Sequence, residues 1–128
     1  MTIRLIRTPN APTPAGHYSQ ATVHQGVVYV AGQLAIDPAT GEPQLGSVGE
    51  QTERTLRNVE AILVAAGSDL AHLLKVTVFI SDISLWAEVN AVYARILGSH
   101  RPARAIVPTK DLRHGFLVEI DAIGALKE

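Results

Sequence analysis

The stretch Leu73-Leu74-Lys75-Val76-Thr77-Val78-Phe79-Ile80-Ser81 decides the fold. It is rich in apolar and β-branched residues, and the two-residue period of a strand sorts it into two faces. One face carries Leu74, Val76, Val78 and Ile80; the other carries Leu73, Lys75, Thr77 and Phe79. Both are largely apolar, so this strand needs cover on both sides. Upstream, Ser47-Val48-Gly49-Glu50 has the spacing of a capping box and predicts the start of a helix. Leu56, Val59, Leu63 and Ala66 then form one helical stripe, and Gly67 is the natural stop. Glu53 and Arg57 are spaced for an i,i+4 ion pair on its outer side. Downstream, a second helix is expected from about Ser84 to Gly98, with Leu85, Val89, Val92 and Ile96 on its buried stripe.

Working outward, Val27 to Ala31 reads as a strand, with Ser19 to His24 as its partner and Gln25-Gly26 as the turn between them. Pro9 to Gly16 is an extended or turn segment, and Asp37-Pro38-Ala39-Thr40-Gly41 is a turn. Two strands, Ala103 to Val107 and Phe116 to Ile123, close the chain. The fold class is therefore α+β: a sandwich of a mixed sheet with two helices on one face, in a single domain spanning residues 1–128. Two helices leave the other sheet face uncovered, with Leu73, Thr77 and Phe79 on it. Such a patch predicts a homo-oligomer, the alternative being that long loops fold over it.

Composition agrees. The 128 residues carry 11 Lys plus Arg, 12 Asp plus Glu, a net charge of -1 and no cysteine. The near-neutral balance offers nucleic acid no basic stripe. The missing cysteines exclude disulfides, thiolate metal sites and a Cys nucleophile. A mean hydropathy of +0.17 is high for a small chain and again suggests a partner surface. No membrane span, signal peptide or lipidation signal is legible, which leaves a cytoplasmic protein as the default. Neither nucleotide-binding glycine pattern is present, His17, His24, His72, His100 and His114 have no metal-motif spacing, and there is no G-x-S-x-G elbow.

Four places carry chemistry. Arg104 lies inside the apolar strand Pro102 to Val107 and needs a partner. It is either a clamp for a substrate carboxylate or phosphate, or half of a salt bridge to Glu119 or Asp121. Glu119 and Asp121 share one face of the last strand, where Glu119 is either an acid/base group or an ion-pair partner. Tyr18 follows the Pro-rich segment and either meets a ligand or anchors the loop on the core. Gly32, inside a strand, marks a bulge, a ligand against the backbone, or packing against a helix. Asn90 lies off the apolar helix stripe, Trp86 and Tyr93 read as packing residues, and His114 as a loop residue.

In this order and spacing, the segments NAPTPAGHYSQA (10–21), VVYVAGQLAIDPATGE (27–42), QTERTLRNVEAILVAAG (51–67), KVTVFISD (75–82), VNAVYARILG (89–98), RPARAIV (101–107) and LVEIDAI (117–123) resemble the reactive intermediate deaminase (Rid, YjgF-type) family. The resemblance implies a chorismate-mutase-like fold and a homotrimer around a β-barrel-like centre, with clefts between subunits. It implies hydrolysis of reactive 2-imino acids (2-iminobutanoate, 2-iminopropanoate and their enamines) to 2-oxo acids and ammonia, with no cofactor and no metal. Arg104 matches the residue that holds the substrate carboxylate, and Glu119 the one beside the hydrolytic water. Tyr18 matches the tyrosine closing the cleft, Gly32 the early-strand backbone contact, Ile106 the backbone facing the substrate nitrogen, and Asn90 a helix residue near the site.

Departures from the pattern are Ala31 and Ala105 in place of serines, Ile106 where Cys is frequent, and His17 in place of Pro. The usual E-V-A-R-L-P stretch is replaced by Pro108-Thr109-Lys110-Asp111-Leu112-Arg113. The other functions considered are a non-enzymatic small-carboxylate sensor or partner protein, and a deaminase of aminoacrylate- or aminomuconate-type degradation intermediates.

Overall fold

A computed structural model describes residues 2–128. Its strands are β1 (Arg4–Ile6), β2 (Ala21–His24), β3 (Val27–Gln33), β4 (Leu73–Ile80), β5 (Ala103–Pro108) and β6 (Val118–Ala125); its helices are α1 (Val48–Ala66) and α2 (Trp86–Leu97). They form one six-stranded sheet in the order β1-β2-β3-β6-β4-β5. The pair β4–β5 is parallel, joined through α2; all other neighbours are antiparallel. The sheet is thus mixed, with both helices on one face.

Local chemistry explains the elements. Ser47 and Glu50 form the expected reciprocal capping box, and Gly67 closes α1 at φ 97°, where a side chain would be strained. Gln25 and Gly26 both have positive φ, the requirement of a tight hairpin turn between β2 and β3. The core lies between helices and sheet: Leu56, Val59, Ile62 and Leu63 of α1 and Val89 of α2 meet Val28, Val76, Val78, Ile80, Val118 and Ile120, all buried.

Four expectations are corrected. Leu73 is buried and Leu74 is 49% exposed, the reverse of simple alternation. The cause is a register shift: Leu73 lies opposite Gly124 and Lys75 opposite Ile123, so Leu74 is an extra residue and the two faces exchange there. The stripe of α2 centres on Val89, Tyr93 and Leu97, because a short 3-10 turn at Ile83–Leu85 delays the helix to Trp86. Glu53 pairs with Arg95 of α2 at 3.1 Å, while Arg57 pairs with Glu60 at 3.0 Å. Finally, β1 was not anticipated from the sequence.

The helix-free face carries Tyr29, 47% exposed, with half-buried Thr77, Phe79 and Ile123. Among the described residues no helix is long and apolar enough to cross a membrane.

Candidate active site

Arg104 stands on the edge strand β5. It lies opposite Val76, and Ile106 lies opposite Val78, so both point to the helix side. There the Arg104 guanidinium meets α2. Its Nη1 donates to Asn90 Oδ1 at 2.8 Å, and its carbon lies 4.8 Å from the Tyr93 ring and 5.8 Å from the Trp86 ring. Trp86, Asn90 and Tyr93 are spaced i, i+4, i+7 and form one helix face. Two rings and an amide thus hold the cation without neutralising it. Burial pushes the Tyr93 hydroxyl pKa up, against the pull of the Arg104 charge.

Among the described residues no carboxylate lies within ion-pair distance of Arg104. The salt-bridge alternative fails for a topological reason. Glu119 lies opposite Phe79 and Asp121 opposite Thr77, residues that point away from the helices. Tyr93 packs in the core as expected, while Trp86 is 41% exposed; the contact of both rings with Arg104 is what was missed in the sequence. Their helical spacing around Asn90 was the available signal.

Glu119 is positioned by two strands. Val30 faces Ala122 and Gln33 faces Ile120, so Ala31 and Gly32 together oppose Asp121 in a bulge. The bulge turns Gln33 inward, where its amide donates to the carbonyls of Ala31 and Gly32. It leaves Gly32 facing the Glu119 carboxylate so closely that a Cβ there would overlap Oε2 and lie 3.2 Å from Cδ. The bulge reading of Gly32 holds, and the close neighbour is Glu119 rather than a helix. Burial first, and the Asp121 charge second, push the Glu119 carboxyl above the ordinary Glu range.

Tyr18 is 51% exposed, so it does not anchor its loop on the core. Its hydroxyl accepts from the Ala15 N–H at 3.2 Å. The loop is instead tied down by Gln20, whose amide bonds the backbone of Thr8, Ala11 and Pro12.

The six expected residues therefore fall into two groups. Tyr18 and Gly32 line a cavity of about 240 Å³, with Glu119 packed on Gly32. Asn90 and Arg104 line another of about 410 Å³, with Ile106 two residues further along β5. Within one chain the Arg104 half and the Glu119 half lie on opposite faces of the sheet and do not meet. Among the described residues no group of three or more His, Asp or Glu is arranged to hold a metal ion.

Fold and site define a class: a mixed sheet backed by two helices, with an arginine held by an amide and two rings and a carboxylate of raised pKa elsewhere on the sheet. The family model described as endoribonuclease L-PSP matches residues 8–126. A RutC family protein of Pyrococcus horikoshii is 45% identical over 97% of this chain and 98% of its own length. The 2-iminobutanoate/2-iminopropanoate deaminase of Capra hircus is 42% identical over 94% of this chain and 88% of its own. The crystal structure of RidA from an Antarctic Psychrobacter superposes with a TM-score of 0.92 at 38% identity, covering 96% of this chain and 99% of that one. The chain belongs to the Rid (YjgF-type, L-PSP) family and has its chorismate-mutase-like fold.

Proposed function

We propose that the protein is a cytoplasmic, cofactor-independent hydrolase of C=N bonds. It converts 2-iminobutanoate, 2-iminopropanoate and related 2-imino acids to 2-oxo acids and ammonia, in a homotrimer whose clefts combine Arg104 of one copy with Glu119 of the next. The observation that carries this reading is Arg104, oriented by Asn90, Tyr93 and Trp86 and lacking a carboxylate partner among the described residues. A guanidinium held in that way complements a substrate carboxylate. Relatives that carry the deaminase name support the reading.

The chemistry balances. A protonated imine, R–C(=NH2+)–COO−, takes up water at the imine carbon; the C–N bond then breaks, giving R–CO–COO− and NH4+. Arg104, Asn90 and the backbone at Ile106 fix the substrate, which supplies the entropic part of catalysis. Glu119 accepts a proton from the water and returns it to the departing nitrogen, and its raised pKa brings it nearer the working range of a general base. Tyr18 and the Gly32 backbone border the site. The ribonucleolytic activity in the family description lacks electrostatic support here, since the net charge is -1.

The test generates 2-iminobutanoate with an amino-acid oxidase and follows its decay. The protein accelerates hydrolysis, and Arg104→Ala lowers kcat/KM by about 10²-fold, in line with loss of a desolvated charge pair. Absence of acceleration, or an unaffected Arg104→Ala variant, refutes the assignment. Sedimentation of the native protein as a monomer refutes the shared cleft.

A further inference from the structure

The cavity beside Gly32 contains a charge that imine hydrolysis does not use. Arg113 and His114 line it, together with neutral residues that include Thr13, Tyr18 and Phe116. No Asp or Glu lines it, and among the described residues no carboxylate lies within ion-pair distance of Arg113. The guanidinium is steadied from one side only: Nε donates to His114 Nε2 at 3.0 Å. An imidazole that accepts at Nε2 carries its proton on Nδ1, so the pair offers further N–H donors. His114 is held at φ 56°, a left-handed conformation that L residues seldom adopt, and Gly115 follows at φ 78°.

Position gives this charge a meaning. The Glu119 carboxylate rests on Gly32, and Gly32 is part of the cavity wall. Glu119 does not itself line the cavity, so the two adjoin through the Gly32 backbone, and a substrate held at Glu119 has this space as its neighbour. About 240 Å³ is far more than a methyl or ethyl group fills. A guanidinium beside an imidazole complements a carboxylate in the bidentate manner arginine favours.

We propose that this cavity receives the substrate side chain and that Arg113, supported by His114, binds a second carboxylate there. The preferred substrates are then 2-imino dicarboxylic acids. The reaction rests on the deaminase reading above; the anion site does not.

Two measurements separate these ideas. Calorimetry compares 2-oxoglutarate with 2-oxobutanoate on the native protein, on Arg113→Gln and on Arg113→Lys. The expected result is binding of 2-oxoglutarate at least tenfold tighter by the native protein. Arg113→Gln lowers that preference at least tenfold, and Arg113→Lys restores part of it. Equal binding of the two acids, or an Arg113→Gln variant that weakens both alike, overturns the proposal. Oxidase-generated 2-iminoglutarate and 2-iminobutanoate are then compared as substrates, and kcat/KM is expected to favour 2-iminoglutarate, with the ratio falling in Arg113→Gln. Hydrolysis of 2-iminobutanoate alone overturns the dicarboxylate preference but not the deaminase. A retained binding preference with neither imine hydrolysed overturns the deaminase but not the anion site.

Discussion

Replacing Gly32 with Ala tests the geometry of the Glu119 half most directly. The backbone at Gly32 is not in the positive-φ region, so Ala introduces no conformational strain. Its only effect is a methyl group directed at Glu119. That Cβ would overlap Oε2, and it would lie 3.2 Å from Cδ and 3.5 Å from Cγ. Ordinary carbon contacts begin near about 3.5 Å, so the carboxylate must move by roughly 1 Å. Because it ends a flexible side chain, the chain folds normally and the carboxylate yields. A displacement of that size at a proton-accepting group costs about 10²-fold in rate. In the 2-iminobutanoate assay Gly32→Ala should therefore approach Glu119→Gln in kcat, with an unchanged thermal transition. The double variant should be no slower than Glu119→Gln alone, because both changes remove the same group's contribution. Gly32→Ala activity within threefold of the native rate, or losses that multiply in the double variant, would show that the carboxylate does not act from over Gly32.

Other consequences are simpler. Asn90→Ala removes the hydrogen bond to the Arg104 guanidinium; such bonds contribute about 1.5 kcal/mol, so KM for 2-iminobutanoate should rise roughly tenfold in steady-state kinetics. Asn58→Ala leaves the Leu34 and Ile36 carbonyls without their donor and should cost about 2–3 kcal/mol in urea denaturation. As a base Glu119 must be ionised, so kcat/KM should fall as pH drops through a midpoint above the ordinary Glu range. Stability runs oppositely: the folded-state pKa exceeds the unfolded one, so the native state gains stability as pH falls between them and loses it as pH rises through the folded value. Glu119→Gln should therefore match the native protein at acid pH and exceed it in denaturation midpoint at neutral pH.

Local signals made most of the fold legible. The capping box, the Gly67 stop and the alternation of β6 each depend on neighbours a few residues away, and each appears as expected. The parity of β4 was not legible, because Leu73 and Leu74 are both apolar and hydropathy cannot identify the extra residue in a bulge. β1 has three residues, too few to show a period. The pairing of Glu53 with Arg95 depends on how two helices pack, which i,i+4 spacing does not contain. The same reason governs the site. Arg104 and Glu119 were recognisable by residue type, but their faces follow from the registers of β5 and β6 against β4. The rings around Arg104 were visible only as a helix spacing with no partner yet in view.

Those registers also bear on genetics. With Arg104 and Glu119 on opposite faces of one sheet, the shared-cleft reading has each chain lend one residue to each neighbour. A defect in either residue is then expressed in a cleft completed by another molecule. Two alleles, each without activity alone, complement when their products mix, because some clefts receive intact residues from both donors. A chain bearing both changes spoils two clefts at once and behaves as a dominant poison.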